Sequence, residues 1–323
     1  MNKLTIITVN YFSADLIKDL SKSLPSKKDI QYDWIVVDNS ADESQVEQLT
    51  KIKNINQIIT PNKNLGFGAA NNLAVKKIKS EYVMFLNPDI KAKSLNLKKL
   101  INLFENDSKI KLVGPKILNT DGTVQLSASI KYPYWWSHKL DYSPMVRILI
   151  KKLKFNQYPT LLSEYELKKS QSVVALLGAC IIMRRKDFVK IGGFDEDFFM
   201  YREETDLARR IKCSGGEIYY CADTALTHIS GGASKNNFYA ELNRDYTKSE
   251  YVFLSKWHNF IYVSFCWIMG WLSSLLSSMI FALLSLFRPS KRKDYIKISE
   301  LCIKSFIQHS IHPFALGYYR KRK

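Results

Sequence analysis

Cysteine is scarce: five in 323 residues, odd in number, widely spaced and never paired as C-x-x-C. That usage excludes a disulfide framework and offers no zinc pattern, and it fits a reducing cytoplasm. Acidic residues are short as well, 30 Asp and Glu against 48 Lys and Arg, which leaves a net charge of +18. A surplus of that sign predicts attraction to nucleic acid, lipid headgroups or phosphorylated substrates. The nucleic-acid option loses ground because the chain has no zinc pattern, no basic helix-turn-helix arrangement and no aromatic RNP-type motif. Internal repeats and low-complexity tracts are missing too. The first apolar run, Leu4 to Val9, is six residues long, too short for a signal-peptide core, and reads as a strand.

What is present is a core: 46% of residues are hydrophobic and 13% aromatic. Strand-like runs alternate with helical stretches. Leu4 to Val9 precedes a helix near Ala14 to Ser23, then Trp34 to Val37, Ile55 to Thr60, a helix from about Ala69 to Lys79, and Tyr82 to Leu86. Such alternation predicts βαβ units and a mainly parallel sheet, whose ligands lie beyond the strand carboxyl ends. Those ends carry Thr8-Val9-Asn10, Asp38-Asn39-Ser40 and Asn87-Pro88-Asp89. The second half reads as a β-like run from Val173 to Met183, a Gly192-Gly193 turn, an acidic cluster, a helix around Asp206 to Cys213 and a short strand from Glu217 to Cys221. We read it as an antiparallel extension completing one site. The one sharp boundary follows Trp257, because Phe260 to Phe287 is 28 residues without a charge. The expected division is therefore 1–256 and 257–323.

Several polar positions are candidates for chemistry. Asp38 emerges from Ile35-Val36-Val37, where a carboxylate can hydrogen-bond a base or ribose, or simply stabilise a turn. The loop Asn64-Leu65-Gly66-Phe67-Gly68 leads into a helix, so its free N–H groups suit phosphate or sugar oxygens; it is neither a Walker loop nor a dinucleotide fingerprint, and a tight strand-to-helix connection explains it equally. Asp89 follows a buried strand and a proline, a workable carboxylate for a hard cation that also takes diphosphate oxygens, although N-P-D is also a common turn. His228 lies in a polar glycine-flanked loop and is the one histidine near the acidic cluster in sequence, a possible second donor. Asp206 with Arg210 reads as an i,i+4 pair. Glu203 and Glu204 follow the aromatic run Phe198-Phe199-Met200-Tyr201, a setting that raises a carboxyl pKa and suits a general base.

The order of motifs closely resembles glycosyltransferase family two, especially its bacterial rhamnosyltransferase-like branch that builds lipid-linked polysaccharides. The matching pieces are Thr5 to Tyr11 (TIITVNY), Val36 to Ser40 (VVDNS), Asn64 to Asn72 (NLGFGAANN), Phe85 to Asp89 (FLNPD), Gly192 to Arg210 and Thr227 to Gly232 (THISGG), spanning roughly residues 3 to 255. Each is weak alone; six in this order are specific. The resemblance implies a GT-A (Rossmann-like) α/β fold in which Thr8, Asn10 and Asp38, with Asn64 and Gly66, hold a nucleotide-sugar donor. It implies that Asn87 and Asp89 stand where the family has its D-x-D, that His228 joins Asp89 on a divalent metal (Mg2+ or Mn2+), and that Glu204 is the base of an inverting transfer. Asn87 in place of Asp leaves fewer charged ligands, and Glu204 in place of Asp moves the carboxylate out by one methylene. L-Rhamnose from dTDP-rhamnose is the first donor implied, with a lipid-linked glycan as acceptor and no nucleic-acid partner. A catalytically silent nucleotide-sugar binder of the same fold is the competing reading.

The uncharged stretch exceeds the roughly 20 residues a spanning helix needs. One crossing would export the tail Arg288 to Lys323, with ten Lys/Arg against Asp294 and Glu300, a net of +8 that the positive-inside rule disfavours. The sequence thus predicts a re-entrant hairpin turning near Ser273-Ser274 or Ser277-Ser278, at the cytoplasmic face of an anionic membrane. The segment Val146 to Lys154 pairs an apolar stripe with a basic one and suits the same interface.

Overall fold

The computed structural model of the chain describes residues 3–27, 30–130, 132, 161–229 and 244–308. The amphipathic stretch Val146 to Lys154 lies outside them. The described residues fall into two units, one from 3–132 and 161–229, the other from 244–308.

The first unit opens β1 (Leu4–Asn10), α1 (Ala14–Ser23), β2 (Tyr32–Asp38), α2 (Glu43–Thr50), β3 (Gln57–Ile59), α3 (Phe67–Val75) and β4 (Tyr82–Leu86). It continues β5 (Ile90–Lys91), α4 (Leu97–Asn106), β6 (Ile110–Leu118), β7 (Ala128–Ser129), β8 (Gln171–Val173), β9 (Ala175–Leu176) and β10 (Cys180–Arg184). It closes with α5 (Arg185–Lys190), α6 (Glu203–Cys213) and β11 (Glu217–His228). The main sheet runs β3-β2-β1-β4-β10-β6-β11-β5, with β8 on β11. β3, β2, β1 and β4 are mutually parallel, and β11 is parallel to β6; β10, β5 and β8 run antiparallel to their neighbours. The expected parallel sheet with an antiparallel extension is present. The chain leaves β1 toward β2 and β3 and returns to β4 on the other side, so β1 and β4 flank a topological switch point.

Two apolar layers cover the sheet. Ile17, Leu20, Leu49, Leu100 and Phe104 pack with Trp34 and Val36 on one face. On the other, Ala70, Ala74, Phe188, Phe194 and Leu207 pack on Ile7, Val37 and Phe85. Phe85, Phe188 and Phe194 form a ring cluster with centroids 4.9–5.3 Å apart, each side chain adding roughly 1.5–3 kcal/mol by burial. Because Phe194 follows Gly192-Gly193, this cluster also anchors the acidic segment that starts at Asp195.

Several boundaries differ from the sequence expectation. α3 starts at Phe67, not Ala69, and ends at Val75 rather than Lys79. The single run Val173 to Met183 is broken into β8, β9 and β10, because β9 pairs with β7 in a separate two-stranded sheet. β11 extends to His228, twelve residues in all, with a register shift between Cys221 and Ala225.

The second unit holds α7 (Arg244–Trp257), α8 (Phe260–Phe287) and α9 (Arg292–Gln308). Tyr251 and Leu254 of α7 pack with Val263 and Cys266 of α8, so this unit begins before the composition break. The expected hairpin turn inside Phe260 to Phe287 is corrected: α8 is one unbroken helix. Its serines do not interrupt it, since Ser274 Oγ returns a hydrogen bond to the Gly270 carbonyl at 2.9 Å. The reversal falls instead at Arg288, which precedes Pro289 and takes a non-helical backbone (φ −135°, ψ 80°).

Candidate active site

β1, β2, β4 and β11 all point their carboxyl ends to one edge of the sheet, and the candidate residues gather there. Asn10 pairs in register with Asp38, so both side chains leave the same pleat, and Asn10 Nδ2 donates to Asp38 Oδ1 at 2.6 Å. Asn10 Oδ1 accepts from the Ser13 N–H and hydroxyl, both at 2.9 Å, which fixes the amide's orientation. Asp38 is buried, and its Oδ2 has no hydrogen-bond partner among the described residues. A buried acceptor left open at a strand end is costly unless a ligand donates to it.

Thr8 sits one pleat further in. It is fully buried and its hydroxyl accepts the Trp34 indole N–H at 3.1 Å, so it braces β1 against β2. Asn39, named in the sequence only within the strand-end cluster and given no role of its own, ties this edge to the glycine loop: its Nδ2 donates to the Gly66 carbonyl at 2.9 Å. Asn64 Oδ1 accepts the Gly66 N–H at 2.9 Å. Gly66 has φ +80°, and a Cβ there would lie 2.1 Å from the Phe199 carbonyl oxygen. Only glycine fits. That carbonyl in turn accepts the Phe67 N–H at 3.0 Å, joining the aromatic run to the start of α3.

Asp89 and His228 are 139 positions apart in the chain yet adjacent in space. The Ile229 N–H donates to the Asp89 carbonyl at 2.8 Å, His228 pairs with Ile90 across β11 and β5, and His228 Nε2 lies 3.2 Å from Asp89 Oδ1. Gln125 Oε1 is 3.0 Å from His228 Nδ1, a partner with no sequence signal. If Nδ1 donates to Gln125, Nε2 is left with its lone pair beside the carboxylate. One imidazole nitrogen and one carboxylate, both partly exposed, fit a divalent cation that takes its remaining ligands from a diphosphate. Among the described residues no cluster of three or more His, Cys, Asp or Glu side chains forms an all-protein metal cage.

The base candidate reaches the same edge from α6. That helix begins at Glu203, three residues earlier than expected, after Tyr201 and Arg202, both at φ 70°. Two consecutive left-handed non-glycine residues are strained, and such strain concentrates at functional sites. Asp206 is fully buried and accepts from Arg210 Nε at 2.8 Å, the i,i+4 pair expected. Glu203 is buried, its Oε2 has no partner among the described residues, and loss of solvent followed by the neighbouring Glu204 pushes its carboxyl well above the usual range. Burial also raises Glu204, against the opposing pull of backbone N–H groups and Arg202. Glu204 packs along Gly178, where an added Cβ would meet its Cβ and Cγ at 3.5 Å. The neighbouring Ala179 carbonyl accepts the Asn87 N–H at 2.9 Å. A three-residue loop therefore links the N-P-D segment to the base candidate, and sequence reasoning had no signal for it.

Residues 5–192 match glycosyl transferase family 2. The chain belongs to that family. It is 24% identical over 269 residues to the N-acetylglucosaminyl-diphospho-decaprenol L-rhamnosyltransferase of Mycobacterium tuberculosis, covering 79% of this chain and 85% of that one. It is 27% identical over 262 residues to the rhamnosyltransferase WbbL of Escherichia coli, covering 78% and 92% respectively. In fold it is similar to the mannosyltransferase PcManGT of Pyrobaculum calidifontis, solved with GDP-Man and Mn2+, at a TM-score of 0.52, 14% identity and coverage of 95% and 87%. The chain is thus a family 2 glycosyltransferase with a GT-A-like fold, similar in sequence to rhamnosyltransferases.

Proposed function

We propose that the enzyme transfers L-rhamnose, with inversion, from dTDP-rhamnose to a lipid-linked glycan acceptor at the cytoplasmic face of a membrane. The observation that carries this reading is the convergence of Asn10–Asp38, Asp89–His228 and Glu204 on one sheet edge. The activities of these relatives, rhamnosyl transfer in both and a decaprenol-linked acceptor in one, support the sugar and the lipid-linked acceptor.

In this reading Asp38 Oδ2 accepts from the nucleoside, and the loop held by Asn39 and Asn64, whose Gly66 and Phe67 N–H groups are bonded to Asn64 and Phe199, fixes the start of α3 beside the donor. Asp89 and His228, with Asn87 beside them, would hold a divalent cation, Mg2+ or Mn2+, whose charge offsets that of the departing diphosphate. Glu204 removes the proton of the acceptor hydroxyl while that oxygen attacks the anomeric carbon and the bond to the diphosphate breaks. One displacement inverts the centre, and no protein nucleophile is used.

The test is a donor panel with the full chain in detergent or membranes, scoring nucleoside diphosphate release and lipid-linked product. Glu204→Gln is expected to lower turnover about 100- to 10,000-fold with donor affinity unchanged. Comparable loss from Glu203→Gln with Glu204→Gln near normal would move the base by one residue. Asp89→Ala is expected to abolish metal-stimulated turnover without unfolding the protein; near-normal activity would leave Asp89 as a turn residue.

A further inference from the structure

α8 has two distinct faces. Gly270, Ser277, Ser278, Phe281 and Ser285 are buried on one side. On the other, Ile261, Phe265, Leu272, Leu276, Leu283 and Leu286 are 39–78% exposed, recurring in multiples of the three- and four-residue steps that keep side chains on one helix face. The buried side is covered by α9, which runs antiparallel: Trp271 stacks on Phe306 at 4.8 Å, Ser278 bonds Ser299 at 3.1 Å, and the rings of Phe281 and Tyr295 are 5.7 Å apart. α9 therefore lies beside the middle of α8, and within the paired stretch from Tyr295 to Phe306 it exposes Lys297, Glu300 and Lys304, with exposed Lys293 and Asp294 just before it.

That pairing decides between spanning and lying flat. An α8 perpendicular to the bilayer would carry the paired stretch of α9, with exposed Lys297, Glu300 and Lys304, into hydrocarbon, where such groups are strongly disfavoured. Twenty-eight residues also make about 42 Å of helix, beyond the roughly 30 Å of a hydrocarbon core, so a span would leave part of the stripe in water. Laid flat, the whole stripe is used. At its end Leu286 and Phe287, 65% and 78% exposed, run directly into exposed Arg288, Lys291, Arg292 and Lys293. Apolar side chains beside a cation cluster match the boundary between acyl chains and anionic headgroups. A second protein is a poorer match, since interfaces between proteins are only about as apolar as ordinary surface, whereas α8 has no charged or amide side chain at all.

We propose that α8 and α9 form a two-helix module that lies in the plane of an anionic bilayer surface, seated through the outer stripe of α8. This deepens the membrane-associated reading above and rests on it.

The experiment uses the full chain in two arms. In the first, detergent-purified protein is reconstituted with vesicles of phosphatidylcholine, alone or with phosphatidylglycerol, and floated on a density gradient. Wild type is expected to float with the anionic vesicles, and Leu276→Glu with Leu283→Glu to lose at least about tenfold of that partition, because two apolar side chains leave the acyl boundary. Flotation unaffected by the pair overturns the proposal, as does a detergent-free soluble wild-type dimer that the pair dissociates. In the second arm, tags at both termini are probed in intact spheroplasts and in inverted membrane vesicles. Both tags reached only from the cytoplasmic side support the flat module; one tag on each side restores the span. Donor turnover in detergent is measured in parallel: its absence in wild type would defeat the proposed activity alone, and its retention in the double variant separates membrane seating from misfolding.

Discussion

At the scale of single residues, the carboxyl pair at the start of α6 carries the clearest pH signature. Glu203 has its folded-state pKa raised well above the ordinary 4.5 by burial and by Glu204. A carboxyl whose pKa is raised on folding binds its proton more tightly in the native state, so stability falls as pH climbs from about 4.5 through the raised value, and the cost is complete above it. Glu203→Gln removes the ionisation while keeping the shape. Thermal denaturation is expected to show the variant more stable than wild type at pH 8, with the gap closing toward pH 4.5. The opposite ordering would mean that Glu203 is ionised and favourably paired. Glu204 shifts in the same direction, so the acid limb of the activity profile should lie above the usual carboxylate range, since the base works only when deprotonated. The sequence made both residues visible through the aromatic run before them. It hid Gln125 and Gly178, because a lone amide or a lone glycine in an irregular loop has no pattern until the chain folds it against a partner.

At the scale of elements, alternation and buried β-branched runs made the parallel half of the sheet legible, down to the Asn10–Asp38 neighbourhood. The second half was less so. Val173 to Met183 looks like one strand because apolar continuity does not reveal that its middle joins a different sheet. The uncharged stretch misled differently: serine pairs suggested a turn, yet serine hydroxyls satisfy themselves within a helix or on a neighbouring one, and the proline at 289 is the real stop. The Gly66 loop offers an element-scale test. Gly66→Ala must adopt φ +80° and displace the Phe199 carbonyl, so it should cost roughly 1–3 kcal/mol in strain and loosen both α3 and the aromatic run. A lowered melting temperature together with weaker donor binding is the expected pair of results, and wild-type donor affinity would remove the loop from the donor site.

At the scale of the whole molecule, the charge of +18 and the helical module act together. Electrostatic attraction to anionic headgroups is screened within about 8 Å at physiological ionic strength, whereas apolar seating is not. Raising salt should therefore weaken vesicle binding of the wild type while leaving a residual fraction that the Leu276→Glu, Leu283→Glu pair abolishes. A complete loss in salt would assign the binding to charge alone. The resemblance anticipated the family and the fold of the first unit; the placement of α9 over α8 came only from three-dimensional packing, because the 3.6-residue pattern of one helix does not name its partner.

The central position of β10 has a consequence for the chain as it leaves the ribosome. β6 pairs with β10 and β11, both of which come later in the sequence, and β10 starts 62 residues after β6 ends. At roughly 5–20 residues per second, a growing chain spends about 3–12 s with an apolar strand waiting for its neighbours and with one edge of β4 uncovered. Nascent protein is thus most prone to misassociation during that interval. Synonymous changes that slow translation between residues 119 and 179 should lower the yield of folded, membrane-extractable protein without altering a single contact of the finished enzyme.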